Sequence, residues 1–151
     1  MMAITTGAPS VAMAGFNVVL IAMAYLLIKH CVADFLLQTE NQWRTKGNYG
    51  AVGGITHSAT HVLLTAPVFL MLPPIRLGTV ALLLVGEFVV HYHLDWAKEQ
   101  ALRRNGWTAQ DTPFWWALGL DQLGHGLTYI ALLWCALSAA VAGASGTPPA
   151  V

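Results

Sequence analysis

The chain has 151 residues, of which 56% are hydrophobic and 9% are charged, and its formal net charge is zero. So few charges exclude an ordinary water-soluble domain and indicate an integral membrane protein, and the neutral balance gives no sign of a nucleic-acid partner. The two cysteines, Cys31 and Cys135, lie singly inside apolar runs, so they predict neither a disulfide framework nor a zinc–thiolate site.

Four apolar runs are long enough to cross a bilayer as helices, and they lie at residues 15–37, 55–72, 77–96 and 115–141. Because the connections between them are short, consecutive helices should run antiparallel. The sequence therefore predicts an all-α, integral membrane four-helix bundle of up-down topology over residues 15–142. Residues 1–14 are predicted to be a flexible N-terminus, and residues 143–151 a disordered tail.

Basic residues are concentrated in or beside the two loops at one end of this bundle, and they are Arg44, Lys46, Lys98, Arg103 and Arg104. The opposite end has only Arg76. This excess of Lys and Arg predicts that the basic end is cytoplasmic, so both termini are expected on the outer side. Tryptophans lie at the same end, as is typical of a membrane–water interface, at positions Trp43, Trp96, Trp107, Trp115 and Trp116.

Polar side chains recur at this same end of all four predicted helices. Their spacing of three, four or seven residues places one polar stripe on each helix. The stripes consist of His30, Asp34, Gln38, His57, His61, His91, Asp95, Lys98, Asp121 and His125. Glu87 extends the third stripe one turn deeper. In an antiparallel bundle these positions converge, which predicts a polar His/Asp cluster near the cytoplasmic face.

The free energy of inserting a charged side chain at the centre of a bilayer is about 2.5–3.5 kcal/mol, so interactions with other groups must compensate the charges of this cluster. The candidates are the other polar groups, water, a transported ion or a bound metal. Imidazoles and carboxylates without a thiolate suit a divalent transition metal ion such as Zn, Mn, Fe or Ni. The predicted metal ligands are His30, Asp34, His57, His61, His91, Asp121 and His125.

The pair His57 and His61 has the spacing of the two histidines in a His-Glu-x-x-His metalloprotease helix, but Ser58 stands where that motif has its glutamate. A general base would therefore come from another helix. Glu87 is the predicted base, because it lies one turn deeper than the ligands and is shielded from water, and Asp95 is the second catalytic candidate. Gln38, Lys98 and Gln122 belong to the polar cluster without an assigned role. The ligands outnumber what one ion needs, so either two ions bind or some of these groups orient the others.

Four motifs occur in order along the chain: "HCVADFLLQ", the His57/His61 pair, "HLDWAK" and "DQLGH". With these motifs the chain resembles, over about residues 20–135, a family of small uncharacterised bacterial membrane proteins known as domain of unknown function 3307. The resemblance implies a multi-pass protein of the bacterial inner membrane, and the charge asymmetry described above then predicts periplasmic termini. It supplies no activity.

The sequence favours a metal-dependent hydrolase and leaves two alternatives open. In an enzyme, the metal would activate water for attack on an ester, amide or phosphate of a lipid or small molecule held at the cytoplasmic leaflet. In a transport component for ions, protons or small solutes, the polar stripe should continue to the outer face, but beyond Glu87 the runs are mostly aliphatic, with Asn17 and Thr65 as exceptions. The third function is a non-catalytic membrane module with structural polar packing. The sequence leaves the substrate, the metal and the formation of homo-oligomers open.

Overall fold

The computed structural model describes residues 7–146, and within them the chain forms helices and no strand. The helices are α1 (Gly7–Phe35), α2 (Glu40–Thr45), α3 (Val52–Thr65) with a 3₁₀ helix (Ala66–Leu70), α4 (Leu77–Asn105) and α5 (Thr112–Ser145). The predicted all-α class is confirmed. Residues 1–6 and 147–151 of the predicted flexible termini lie outside the described residues, and α1 and α5 extend into the remainder of both.

Three helices are long and apolar enough to cross a membrane, and the spans are Gly15–Phe35, Leu77–Asn105 and Thr112–Ser145. This agrees with a multi-pass membrane protein. The second predicted run, residues 55–72, is not among these three spans. There the α-helix has only 14 residues, and the 3₁₀ helix follows it directly. Pro67 explains this change, because a proline has no N–H with which to continue the α-helical hydrogen-bond ladder.

The four longer helices pack in a ring. α1 and α4 each contact both α3 and α5, so α1 and α4 face each other across the centre, as do α3 and α5. The levels of contact show that α1 and α3 run antiparallel. Ala22 and Leu26 of α1 share the core cluster with Val68, while Asp34, further along α1, contacts the earlier residue His57. The ring therefore has an apolar end and a polar end.

Inside the apolar end lies a cluster that we call the apolar core, formed by Ala22, Leu26, Val68, Leu72, Tyr129, Leu132, Leu133 and Ala136. The outer surface of the ring is also apolar, with Leu70 and Leu77 exposed by 89% and 83%. Among the described residues, thirteen polar or charged side chains are buried against ten hydrophobic ones. An apolar exterior around a polar interior is the reverse of a water-soluble protein and suits a lipid surround.

The short helix α2 covers the polar end of the ring. Thr39 begins it with a capping box: the Thr39 hydroxyl accepts a bond from the Gln42 N–H, and the Thr39 N–H donates to the Gln42 side chain. α2 lies directly against the start of α3 at Gly53, where a Cβ atom would clash with the Thr45 hydroxyl and come within 2.6 Å of the Asn41 carbonyl oxygen. Only glycine allows this close approach.

The connection after α2 is attached to α4 by hydrogen bonds. Gln100 donates to the Gly47 carbonyl oxygen at 2.6 Å, and Arg103 donates to the Asn48 side chain at 2.6 Å. The Gly50 N–H donates to the Tyr92 hydroxyl at 2.6 Å. These bonds fix the position of the cover over the polar end.

The turn between α4 and α5 begins at Gly106, whose φ of 67° is the left-handed conformation that ends many helices. Further along this turn, the N–H and the hydroxyl of Thr108 both donate to the Asp111 carboxylate, at 2.8 and 2.9 Å. These bonds stabilise the ionised carboxylate and hold the pKa of Asp111 below its ordinary value. The turn thereby closes α4 onto α5 at the polar end.

Candidate metal centre

Five histidines and three aspartates meet inside the polar end, and we call them the His/Asp cluster. Each helix of the ring supplies two of them, four residues apart, so that both point inward from successive turns. The members are His30 and Asp34, His57 and His61, His91 and Asp95, and Asp121 and His125. The structure therefore brings together all seven predicted metal ligands and the candidate catalytic residue Asp95.

The imidazole rings lie almost in contact. The ring centroids of His61 and His91 are 3.9 Å apart, those of His91 and His125 are 4.2 Å apart, and those of His30 and His125 are 4.7 Å apart. Positive charges at these separations would repel strongly in a buried site. The arrangement therefore suits neutral imidazoles, each of which presents a nitrogen lone pair.

Carboxylate oxygens lie between these rings. Asp34 Oδ1 is 3.1 Å from His61 Nε2 and 3.3 Å from His57 Nε2. Asp95 Oδ2 is 3.0 Å from His57 Nε2 and 3.6 Å from His91 Nε2. Nevertheless Asp34 Oδ1, Asp95 Oδ2 and both ring nitrogens of His61 and His91 make no hydrogen bond. These atoms therefore lie at ion-pair distance without the geometry of a hydrogen bond.

Short nitrogen–oxygen distances without a hydrogen bond also occur beside α5. His125 Nε2 is 3.5 Å from Asp121 Oδ1, and neither atom makes a hydrogen bond. His30 Nε2 is 3.2 Å from Asp34 Oδ2 and also makes none, although the other nitrogen of this ring is 2.9 Å from the Tyr129 hydroxyl. Tyr129 therefore holds the His30 ring with Nε2 directed into the cluster.

Lone-pair atoms that lie this close without bonding each other have the geometry of ligands around a common cation. With bonds of about 2.1 Å, neighbouring ligands are about 3.4 Å apart around a tetrahedral ion and about 3.0 Å apart around an octahedral one. Three groups have ligand atoms within 4.8 Å of one another and could hold a metal ion: Asp34, His57, His61 and His91; His30, His91 and His125; and Asp95, Asp121 and His125. Because the groups overlap at two histidines, the cluster offers room for one ion or for two neighbouring ions.

Each aspartate of the cluster uses its two oxygens differently. Asp34 accepts a bond from Gln122 on Oδ2 at 3.0 Å and turns Oδ1 to the histidines. Asp121 faces Lys98 with Oδ2 at 3.4 Å and His125 with Oδ1. In this way a neighbouring donor fixes the orientation of each carboxylate, as is typical around metal ligands.

Asp95 follows the same pattern with two lysines. Its Oδ1 lies 3.3 Å from Lys46 Nζ and 3.5 Å from Lys98 Nζ, while Oδ2 faces the histidines. Gln38 completes the set, since its side-chain nitrogen is 3.2 Å from His57 Nδ1. The three polar residues predicted without a role, Gln38, Lys98 and Gln122, therefore all contact members of the His/Asp cluster.

Glu87 lies one layer deeper, in a group that we call the Lys29 layer, consisting of Lys29, Thr65 and Glu87. Glu87 Oε1 accepts bonds from Lys29 Nζ at 3.0 Å and from the Thr65 hydroxyl at 2.7 Å. Lys29 also donates to the His61 carbonyl oxygen at 3.0 Å. Glu87 Oε2 is buried and has no hydrogen-bond partner. Glu87 belongs to none of the metal-compatible groups, as expected of a residue that is not a ligand.

Two contributors were not identified from the sequence. Lys46 was assigned to the interface as a loop residue, yet it is buried against Asp95. Lys29 was not assigned to the site, although a lysine inside an apolar run, three residues after Leu26 on the same helix face, is a signal for buried pairing. His93, in contrast, lies outside the cluster on the other face of α4, where it donates to the Val89 carbonyl oxygen and accepts a bond from Tyr49.

Comparison with known proteins identifies the family of this chain but assigns it no activity. No curated protein and no solved structure matches the chain. The model of the family described as "Protein of unknown function (DUF3307)" matches residues 22–146, a segment that contains all of the His/Asp cluster and the Lys29 layer. The chain therefore belongs to the DUF3307 family.

Proposed function

We propose that this chain is a membrane-embedded, metal-dependent hydrolase whose His/Asp cluster binds one or two divalent transition metal ions. The observation that carries the proposal is the set of unpartnered atoms. Eleven buried side-chain nitrogen and oxygen atoms lack a hydrogen bond among the described residues, and nine of them belong to the His/Asp cluster; the other two are Ser58 Oγ and Glu87 Oε2. An unpaired polar group in an apolar surround costs about 1–3 kcal/mol, so this number of them indicates a missing partner. A cation coordinated by several of these atoms would offset the cost.

The donor set indicates which cation. Neutral imidazole nitrogens and carboxylate oxygens suit Zn, Mn, Fe or Ni, and the two free cysteines lie outside the metal-compatible groups. A divalent ion at such a site supplies Lewis acidity and makes a coordinated water acidic enough to act as a nucleophile near neutral pH.

The residues around the ligands then have separate tasks. Lys46 and Lys98 hold the carboxylates of Asp95 and Asp121 in position, and the same lysines provide positive charge close to the reacting group. We assign proton acceptance to Glu87, whose Oε2 is the one oxygen of that carboxylate left free by Lys29 and Thr65. Asp95 is the alternative acceptor, since its Oδ2 is also free of hydrogen bonds.

The polar end is better suited to catalysis than to the transport of ions or protons. Beyond the Lys29 layer the interior of the ring is filled by the apolar core, which would interrupt a path for ions or protons across the membrane. The transport alternative therefore lacks a continuous polar route among the described residues.

We further propose that α3 and the following 3₁₀ helix together form a fourth crossing. At rises of about 1.5 and 2.0 Å per residue the two segments measure roughly 31 Å, close to the thickness of about 30 Å of a hydrocarbon layer. By the positive-inside rule, the basic loops support a position of the cluster at the cytoplasmic face of a bacterial inner membrane, with both termini periplasmic. Alkaline phosphatase fused after residue 151 should be active, and an inactive fusion with an active cytoplasmic reporter at the same site would contradict this orientation.

Elemental analysis of detergent-purified protein tests the metal proposal most directly. The wild-type chain, prepared with metals supplied and without chelators, should carry about one or two equivalents of a transition metal. The variant His57→Ala/His61→Ala removes two ligands and should lose most of this metal. The matched control is His93→Ala, which removes a histidine outside the cluster and should leave the stoichiometry unchanged. A wild-type content below about 0.2 equivalents would overturn the proposal, because sites with this many ligands normally retain their metal.

A further inference from the structure

An apolar groove runs along the outside of the ring between α4 and α5, beside the His/Asp cluster. Its volume is about 400 Å³, within the range of ligand pockets in proteins. Small and aliphatic side chains form its walls, and Trp107 and Trp116 lie at the end nearest the loop. The groove opens outward, since Trp116 and Leu120 at its edge are 65% and 69% exposed.

Lys98 and Asp121 are the two charged residues that line this groove. Asp121 belongs to the His/Asp cluster: one of its oxygens faces Lys98 at 3.4 Å, and the other lies 3.5 Å from His125 Nε2. One carboxylate therefore separates the groove from the candidate metal ligands. A molecule lying in the groove would reach the cluster with whatever group it carries next to Lys98.

The surroundings determine what kind of molecule this is. The groove lies on two helices that are long and apolar enough to cross a membrane, so an outward opening between them faces lipid acyl chains. Tryptophans at its loop end are typical of the headgroup level, where an indole ring has both apolar and polar contacts. Asp121 lies five residues after Trp116, about 8 Å further from the loop along α5, so a lipid with its headgroup beside the tryptophans has its ester bonds near Lys98.

The charge of the site indicates the headgroup. Lys46 and Lys98 contribute two positive charges beside Asp34, Asp95 and Asp121, and a single divalent ion at the proposed site would make the balance positive. The ion pair between Lys29 and Glu87 adds no net charge. A site of this sign favours an anion.

We propose that the groove between α4 and α5 binds an anionic membrane lipid, with its headgroup beside Trp107 and Trp116 and an ester bond beside Lys98 at the His/Asp cluster. This rests on the proposed function and names its substrate class, an anionic lipid with a carboxylic or phosphoric ester bond near the headgroup. Hydrolysis breaks that ester bond: the hydroxyl of a water molecule joins the acyl carbon or the phosphorus, and the remaining proton goes to the leaving oxygen.

Photo-crosslinking tests the binding step without requiring turnover. The metal-loaded protein is placed in phosphatidylcholine nanodiscs containing a small fraction of phosphatidylglycerol with a diazirine in one acyl chain, and labelled peptides are located by mass spectrometry. Labelling should be concentrated on residues 94–101 and 113–121, and a phosphatidylcholine carrying the same diazirine should label them severalfold less. Uniform labelling of all lipid-facing helices would contradict specific binding in the groove. Equal labelling by the phosphatidylglycerol and phosphatidylcholine probes would contradict the preference for an anionic lipid.

The variant Ala97→Trp fills the groove with an indole from its exposed wall, and Ala24→Trp places the same side chain on an exposed face of α1 as a control. Labelling of the groove should fall about tenfold in Ala97→Trp, because the filled volume excludes the chain, and should persist in Ala24→Trp. Metal content is measured on the same samples. Unchanged labelling of metal-loaded Ala97→Trp would contradict lipid binding in the groove and leave the proposed hydrolase standing. If the wild-type chain carries no metal although metals were supplied during purification, but the groove is still labelled, the proposed hydrolase is contradicted and the lipid site stands.

Discussion

The apolar core and the His/Asp cluster are equally buried, but burial contributes differently to the stability of each. Leu26 and Val68 in the core are 0% exposed, and His61 and His91 in the cluster are 0% and 1% exposed. In water, covering the aliphatic residues would be the main source of stability. In a bilayer the surrounding chains are as apolar as the core, so the gain is limited to close packing.

The polar end has the opposite balance. Moving its charges out of water is costly, and they are tolerated because each carboxylate contacts a lysine, a glutamine or a histidine from another helix. These contacts join all four helices of the ring, whereas the apolar core offers contacts that lipid could replace. Specific helix association and candidate chemistry are therefore concentrated in the same half of the molecule.

The largest effect is expected at the Lys29 layer, the boundary between the two halves. Glu87→Gln leaves Lys29 as an unpaired buried cation, which should lower the free energy of unfolding by about 3–5 kcal/mol. The double variant Lys29→Met/Glu87→Gln removes both charges and should recover most of that loss. Denaturant titrations of the detergent-solubilised proteins measure both. Equal stability of the single variant and the wild type would show that the pair contributes nothing.

The same variants test the catalytic assignment. Where Glu87→Gln folds, it should keep the wild-type metal stoichiometry and lose hydrolysis of the anionic lipid, because its amide cannot accept the proton. The double variant should behave in the same way. Full activity in either metal-loaded protein would eliminate Glu87 as the base and transfer the role to Asp95 or Asp121.

A smaller effect is expected where α2 covers the polar end. Gly53→Ala places a methyl group against Thr45 and the Asn41 carbonyl oxygen, and this overpacking should cost about 1–3 kcal/mol. Displacing α2 should also move Lys46 away from Asp95 and weaken metal retention during dialysis. Gly126→Ala is the control, since a Cβ there has no neighbour within 4 Å. A Gly53→Ala protein as stable and as metal-rich as the control would show that the cover is dispensable.

The smallest effect is expected in the apolar core. Leu26→Ala should cost about 1–2 kcal/mol, below the roughly 2–5 kcal/mol typical of water-soluble cores, because lipid leaves only the packing contribution. Metal content should not change. The same denaturant titration measures this loss, and a value as large as that of Glu87→Gln would remove the distinction between the two halves.

The sequence predicted the His/Asp cluster because helical periodicity needs no long-range information. Residues four apart share a helix face, and antiparallel neighbours bring those faces to one level, so His57 and Asp121 could be placed without coordinates. The same periodicity accounts for His93, which is two positions from His91 and lies on the other face of α4. The helical class and three of the four apolar runs followed from length and hydropathy.

The remaining features depend on contacts that periodicity does not encode. Lys46 follows the six-residue helix α2, which turns back over the bundle, and neither the turn nor the inward path of its side chain leaves a repeating pattern in the sequence. The end of the α-helix α3 at Thr65 was not predicted for another reason. Hydropathy continues through Pro67 without a break, but the hydrogen-bond ladder of an α-helix does not.

The lengths of the long helices have a consequence for where this protein can work. α4 has 29 residues and α5 has 34, so they measure about 44 and 51 Å, well beyond a hydrocarbon thickness of about 30 Å. This hydrophobic mismatch is accommodated by tilting or by extension of the helix ends into the headgroup region. The last turns of α4 carry Arg103 and Arg104, which resist entry into the hydrocarbon. These two arginines would keep the polar end at its interface, so that a thicker or thinner bilayer is matched by tilt or at the other ends of the helices. The depth of the His/Asp cluster would then stay nearly constant, and the protein could work in bilayers of different thickness.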